Sequence, residues 1–143
     1  MFGSALGGML GMTLVVLWLV LLLPLIFYLL TLQRALAACA VENRRMQPGL
    51  VWLQLVPLFG MVWQFFVVLA VSGSLHAEFQ RRGIVEEPNP GQSIGLAMCI
   101  LSVCGIIPFL GVLAALAGIV CWILYWIKIA GLSAKLSPVA AVA

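Results

Sequence analysis

Three long stretches of this chain contain no Lys, Arg, Asp, Glu or His: residues 1–33, 46–75 and 88–127. Of its 143 residues, 65% are hydrophobic and 8% are charged. Soluble domains have about 45–50% apolar and about 25% charged residues, so this chain could not cover its apolar surface in water. Its low charge and high hydrophobicity also exclude intrinsic disorder. We therefore expect an all-α, polytopic integral membrane protein.

The lengths of the charge-free stretches predict three to four transmembrane helices, because one crossing takes about 20 helical residues. Residues 49–82 are ambiguous, since they fit either a re-entrant hairpin or a second span with a cytoplasmic extension. The segments of the expected single membrane domain, residues 1–143, are a first span (5–32), a cytoplasmic connector (33–48), the ambiguous segment (49–82), a polar turn (83–92), a helical hairpin (93–133) and a tail (134–143).

Proline lies inside each charge-free stretch, at Pro24, Pro57 and Pro108. Pro24 has only large apolar neighbours and no glycine nearby, which favours a kink in a continuous helix. The other two belong to similar sequences, Pro57-Leu-Phe-Gly60 and Pro108-Phe-Leu-Gly111. Because glycine can adopt the left-handed conformation that closes a turn, these motifs predict two helix breaks and a repeat of two helical hairpins.

The positions of the seven Lys and Arg residues help to choose between the two arrangements of residues 49–82. If this segment crosses the membrane, the basic residues divide almost equally between the two sides. If it enters and returns at Pro57–Gly60, all of them lie on one face, which favours a re-entrant hairpin. The N-terminus is then outside, and the charged loops and the C-terminus are cytoplasmic. The short first arm counts against this arrangement, because residues 49–56 would extend only about 12 Å as an α-helix.

Small residues recur at helical spacing in two places: Gly3, Gly7 and Gly11 near the N-terminus, and Gly111, Ala115 and Gly118 in the last stretch. Such residues let two helices approach closely in lipid. They predict helix packing, either within one subunit or between subunits.

Gln54 and Gln64 are the largest polar side chains within the charge-free stretches. Hydrogen bonding between helices is their expected role, and the lining of a pathway is the alternative. Acidic and basic side chains, which usually support ion-coupled transport, are missing from the middle of every predicted span.

The ionisable residues predict contact with lipid rather than catalysis. The paired arginines are expected to contact anionic lipid headgroups: Arg44, Arg45, Arg81 and Arg82. His76 and Glu78 do not share a helix face, so we interpret this region as a solvated helix end, with Glu78 and Arg82 at the favourable i,i+4 spacing. We predict no catalytic residues, no cofactor and no nucleic-acid partner.

The four cysteines form no CxxC pair, and the chain has a single histidine that could complete a set of metal ligands, so no metal site is expected. Free cysteine in such a setting behaves as a small buried apolar residue. Leu36-Ala37-Ala38-Cys39 matches the lipobox of bacterial lipoproteins in its letters. The preceding apolar stretch is too long for a signal peptide and has no basic start, so we interpret the match as chance.

Three segments carry a resemblance to known sequences: QPGLVWLQLVPLFGMVWQF (residues 47–65), EPNPG (residues 87–91) and IPFLG (residues 107–111). They resemble a group of small bacterial polytopic membrane proteins of unknown function, over roughly residues 30–136. The resemblance implies a bacterial inner-membrane location. It implies no catalytic activity and identifies no functional residues.

Together, these patterns predict a non-enzymatic structural or accessory subunit that associates through its glycine-rich helix faces. Its expected partners are membrane lipids and either further copies of itself or other membrane protein subunits. One alternative is a small oligomeric channel or facilitator lined by Gln54 and Gln64. A further alternative is a membrane-shaping protein that uses its hairpins as wedges.

Overall fold

The computed structural model describes residues 2–136, which form four α-helices and two 3₁₀ helices and contain no strand. The α-helices are α1 (Phe2–Ala38), α2 (Phe59–Arg82), α3 (Gln92–Cys104) and α4 (Gly111–Leu136), and the 3₁₀ helices are Val41–Asn43 and Pro48–Leu55. Helices α1, α2 and α4 are long and apolar enough to cross a membrane. The predicted all-α membrane fold is confirmed. Residues 137–143 of the predicted tail lie outside the described residues.

The chain divides into two compact units, Met1–Leu30 and Thr31–Ala143. The single membrane domain stays a prediction. The first unit is part of α1, which continues through Pro24 as one helix, as predicted. The helical conformation persists six residues beyond the predicted end of the first span, to Ala38. Residues 39–47, part of the predicted connector, contain a single 3₁₀ turn rather than a continued α-helix.

Residues 45–56 of the second unit, here called the return arm, run antiparallel to α2. Three contacts set their register: the Arg45 N–H to the Ser74 hydroxyl (2.8 Å), the Trp63 Nε1–H to the Leu50 carbonyl (2.9 Å), and the Gln54 carbonyl against Gly60. Residues 45–54 of the arm therefore lie along residues 60–74 of α2. That part of α2 has a length of about 21 Å at the α-helical rise per residue.

The length expected for this arm assumed an α-helix, and the arm is not α-helical. Pro48–Leu55 forms a 3₁₀ helix, which rises about 2.0 Å per residue instead of 1.5 Å. Pro48 stands at the start of this helix, where its missing N–H costs no hydrogen bond. The arm and α2 form a hairpin whose two ends meet near Ser74.

Gly60 and Gly111 lie in the first turn of the helices that follow the two proline turns. A Cβ at Gly60 would overlap the carbonyl oxygen of Gln54, and one at Gly111 would lie 2.7 Å from the carbonyl oxygen of Gly105. Each carbonyl belongs to the residue six positions earlier, so both turns use the same close backbone approach. The predicted reason for these glycines is wrong, because neither has a positive φ, and the positive φ in the first turn belongs to Leu58 (φ 62°).

Helix α3 packs between α2 and α4 through a glycine. A Cβ at Gly95 would lie 2.5 Å from a methyl of Val68 on α2 and 2.9 Å from the ring of Tyr125 on α4. Gly95 therefore sets how closely the three helices approach. Around it, the core of the second unit includes Val67, Val71, Leu75, Met98, Cys99 and Ile129, all buried.

Helix α2 ends at Arg82, immediately before the predicted polar turn (83–92). Gly83 is left-handed (φ 68°), and its N–H donates to the carbonyl of Gln80 (3.2 Å). The next N–H, that of Ile84, donates to the carbonyl of Phe79 (2.9 Å). This pair of bonds satisfies main-chain carbonyls that the end of the helix leaves free.

Candidate functional site

The C-terminal ends of α1, α2 and α4 meet at one end of the second unit. Arg82 of α2 donates to the carbonyl of Leu136 on α4 (3.0 Å) and to that of Ala38 on α1 (3.4 Å). This region, here called the charged end, holds all seven basic residues of the chain: Arg34, Arg44, Arg45, Arg81, Arg82, Lys128 and Lys135. The re-entrant arrangement predicts this one-ended distribution.

The carboxylate of Glu78 lies fully buried at the centre of the charged end. Its Oε2 accepts hydrogen bonds from the Ala40 N–H (2.9 Å) and the Asn43 side-chain amide (2.8 Å). Its Oε1 accepts from the guanidinium groups of Arg81 (2.5 Å) and Arg82 (2.8 Å). Charge-assisted hydrogen bonds on both oxygens compensate for the loss of water around the carboxylate.

The interpretation of this region as a solvated helix end is therefore wrong for Glu78, although its predicted i,i+4 pair with Arg82 is confirmed. The connector folds over the helix and closes the carboxylate from solvent. Spacing could not reveal this, because the covering residues lie 35 and 38 positions away in sequence. His76 is half-buried on the same helix and lies 3.1 Å from the amide of Gln80.

Two arginines cap the end of α1. Arg44 donates to the carbonyls of Cys39 (2.9 Å) and Ala37 (2.7 Å), and Arg82 reaches the carbonyl of Ala38 between them. These carbonyls have no helical partner at the end of α1, and positive charge is favourable there. Arg44 and Arg82 were predicted to contact lipid headgroups. In the structure, Arg44 caps α1, and Arg82 also joins α2 to α1 and α4.

Cys39 is buried, and its thiol donates to the carbonyl of Ala35 (3.4 Å). Burial, together with the nearby Glu78 carboxylate, raises the pKa of the Cys39 thiol to about 11. A protonated, buried thiol is a poor nucleophile.

The polar turn is fastened to α4 by two ion pairs, Glu87 with Lys128 and Glu86 with Lys135. The Lys128 ammonium beside Glu87 lowers the pKa of that carboxyl. Gly91, at the end of the turn, is left-handed (φ 77°) and lies over Ile129 of α4. These contacts attach the segment between α2 and α3 to the charged end.

The predicted packing residues fall into two groups. At Gly3, Gly7 and Gly11, an added Cβ would meet no atom of the described chain within 4 Å. In the last helix, a Cβ at Gly118 would lie 3.6 Å from Leu101 on α3, and Gly111 contacts the backbone before α4. Ala115 is exposed. Two of the three small residues of α4 therefore pack inside the chain.

The predicted polar groups are only partly buried in the hairpins. Gln54 and Gln64 are both half-buried, and the amide nitrogen of Gln54 has no acceptor among residues 2–136. The pathway lining proposed for them stays a prediction. Within the same described range, no three His, Cys, Asp or Glu side chains come together in a group that could hold a metal ion.

Comparison of the chain with protein-family models, with curated proteins and with solved structures found no match. The resemblance to small bacterial membrane proteins therefore stays a prediction. Three apolar helices and the charged end define a polytopic helical membrane protein.

Proposed function

We propose that this protein is a non-enzymatic structural or accessory subunit of the bacterial inner membrane that associates through α1. The observation that carries this proposal is the contrast between its two units. The second unit has a core and a charged end of its own, whereas the side chains of residues 3–21 in α1 are exposed along the whole segment. Such a helix suits contact with another protein subunit.

The stripe formed by Gly3, Gly7 and Gly11 is the face of α1 best suited to that contact. Leu10 and Trp18, which are 62% and 63% exposed, can be covered by lipid as readily as by protein. In lipid there is no hydrophobic driving force for apolar side chains to associate, whereas glycines allow two helix backbones to pack closely. A second copy of α1 is the proposed occupant, since one stripe can face its own copy across a twofold axis.

The ionisable groups support a structural role because they hold helices together. Glu78 joins the connector to α2, Arg44 caps α1, and Arg82 joins α2 to α1 and α4. The one-ended distribution of basic residues supports a cytoplasmic charged end, with the N-terminus outside.

Native mass spectrometry of the full chain in mild detergent tests this proposal with Gly7→Leu. Ala5→Leu is the matched control, because residue 5 lies about 160° around the helix from residue 7. Both positions have open space around them, since an added Cβ at Gly7 meets no atom of the described chain within 4 Å and Ala5 is exposed. We expect an oligomer for the wild type and the control and a monomer for Gly7→Leu. An unchanged oligomer in Gly7→Leu would contradict the proposal.

A membrane-shaping role is the second candidate, because both hairpin tips are apolar and exposed. Leu58 is 81% exposed in the first turn, and Phe109 is 95% exposed in the second. Reconstitution into liposomes distinguishes the candidates: tubulation or vesiculation that is lost in Leu58→Ser with Phe109→Ser would favour wedging. Ion flux through the same liposomes would instead favour the channel alternative.

A further inference from the structure

Arg45 is fixed to α2 at two points. Its N–H donates to the hydroxyl of Ser74 (2.8 Å), which in turn donates to the carbonyl of Ala70 (2.7 Å). Its side chain lies across Gly73, where an added Cβ would be 2.6 Å from both Nε and Cζ of the guanidinium. The glycine leaves the space in which this exposed side chain lies against α2.

The charge of Arg45 is not neutralised within the described chain. Among residues 2–136, its guanidinium takes part in no ion pair and in no hydrogen bond that the structure records, whereas Arg81 and Arg82 share Glu78. Arg44 donates to main-chain carbonyls but is likewise in no ion pair within this range. Two neighbouring guanidinium groups therefore have no carboxylate partner among residues 2–136.

Both arginines line one surface groove of about 560 Å³, together with Val41, Met46, Gln47 and Pro48. The groove combines two positive charges and a side-chain amide with apolar side chains. It lies at the charged end, where the connector leads into the apolar return arm. In the proposed orientation, with the charged end cytoplasmic, the groove lies at the level at which lipid headgroups meet the hydrocarbon.

We propose that this groove binds the phosphate of an anionic phospholipid, with Arg45 as the main contact and Arg44 as the second. Guanidinium groups recognise phosphate oxygens through paired N–H donors, and basic side chains at this level attract anionic headgroups. The assignment is narrower than a general attraction between basic residues and lipid. It selects Arg45 and Arg44, which pair with no carboxylate among residues 2–136, over Arg81 and Arg82, which share Glu78.

The test uses Arg45→Gln in the full chain, with Arg34→Gln as the matched control. Arg34 is an exposed arginine of the same end that does not line the groove. Wild-type and variant proteins are exchanged into mixed micelles of phosphatidylglycerol and phosphatidylcholine, and the retained lipids are counted by native mass spectrometry. We expect Arg45→Gln to retain about fivefold less phosphatidylglycerol, with phosphatidylcholine unchanged. Arg34→Gln should match the wild type.

Calorimetric titration with sodium phosphate, in nanodiscs of phosphatidylcholine, separates a lipid phosphate from a free one. Phosphate binding that Arg45→Gln abolishes, without a change in lipid retention, would assign the groove to a soluble phosphate. Equal lipid retention and equal phosphate binding in both variants would overturn the proposal. The substitution leaves the main-chain bond to Ser74 intact, and circular dichroism verifies the fold. The oligomeric state in the same spectra reports on the α1 contact separately.

Discussion

Gly60 lies directly against the carbonyl oxygen of Gln54, and this contact allows the return arm to meet α2 immediately after the turn. The second hairpin repeats the arrangement with Gly111 and the carbonyl of Gly105. In both cases the neighbouring atom belongs to the main chain, which cannot move aside as a flexible side chain can. A single methyl group at either glycine must therefore displace backbone.

Substitution of either glycine by alanine is expected to destabilise the protein by about 2 kcal/mol or more, the cost of overpacking a tight contact. Gly49→Ala is the control, because residue 49 lies in the same arm with no atom within 4 Å of its added Cβ. Thermal unfolding in detergent, followed by circular dichroism, measures the difference. Equal melting temperatures for Gly60→Ala and Gly49→Ala would refute the close approach.

Glu78→Gln is expected to lower the free energy of unfolding by about 2–3 kcal/mol, because it leaves donors around a buried site without their anion. The value falls at the lower end for buried ion pairs, since the Arg81 side chain is 52% exposed. Glu42→Gln removes the same charge at an exposed position of the connector. Denaturant unfolding in detergent should separate the two variants. If both variants lose equally little stability, the Glu78 carboxylate does not hold the charged end together.

Arg82→Gln should destabilise the protein more than Arg81→Gln, although both arginines bind Glu78. Arg82 also donates to the carbonyls of Leu136 and Ala38, so its loss loosens contacts with α4 and α1. We expect about 2 kcal/mol for Arg82→Gln, as for the loss of charged hydrogen bonds. Melting temperatures of the two variants, measured in the same detergent, give the order of their stabilities. The reverse order would show that Arg82 does not join the three helices.

The charged end predicts that residues far apart in sequence react from the same side of the membrane. Single cysteines at Glu42, Gln80 and Val85 occupy exposed positions in the connector, the last turn of α2 and the polar turn. The four native cysteines are first replaced by serine. A membrane-impermeant maleimide should label all three from the cytoplasmic face of inverted vesicles. Labelling of residues 42 and 80 from opposite faces would exclude the re-entrant arrangement.

Much of the fold could be predicted from local sequence, because local causes determine it. The charge-free stretches located the apolar helices, Pro24 remained within a helix as predicted, and Gly83 marked the end of α2. The burial of Glu78 could not be predicted in this way. It depends on Ala40 and Asn43, which reach the carboxylate only after the hairpin has formed.

The conformation of the return arm is a second feature that the sequence did not reveal. Its apolar residues have no periodicity that distinguishes a 3₁₀ helix from an α-helix over eight residues. A 3₁₀ helix has a larger rise per residue than an α-helix, so the arm extends further along α2 than an α-helix of the same residues would. The role of Gly73 was hidden for a similar reason, since its partner Arg45 is 28 positions away.

The one-ended placement of the charges also bears on how the chain enters a membrane. Between Arg34 and Leu136, every acidic and basic side chain belongs to the charged end, and both hairpin tips are apolar. Assembly of this part from the cytoplasm would translocate only uncharged turns, which avoids about 3 kcal/mol for each charged residue taken to the bilayer centre. Residues 1–33, which include most of α1, contain no charged side chain either, so their insertion adds no such cost.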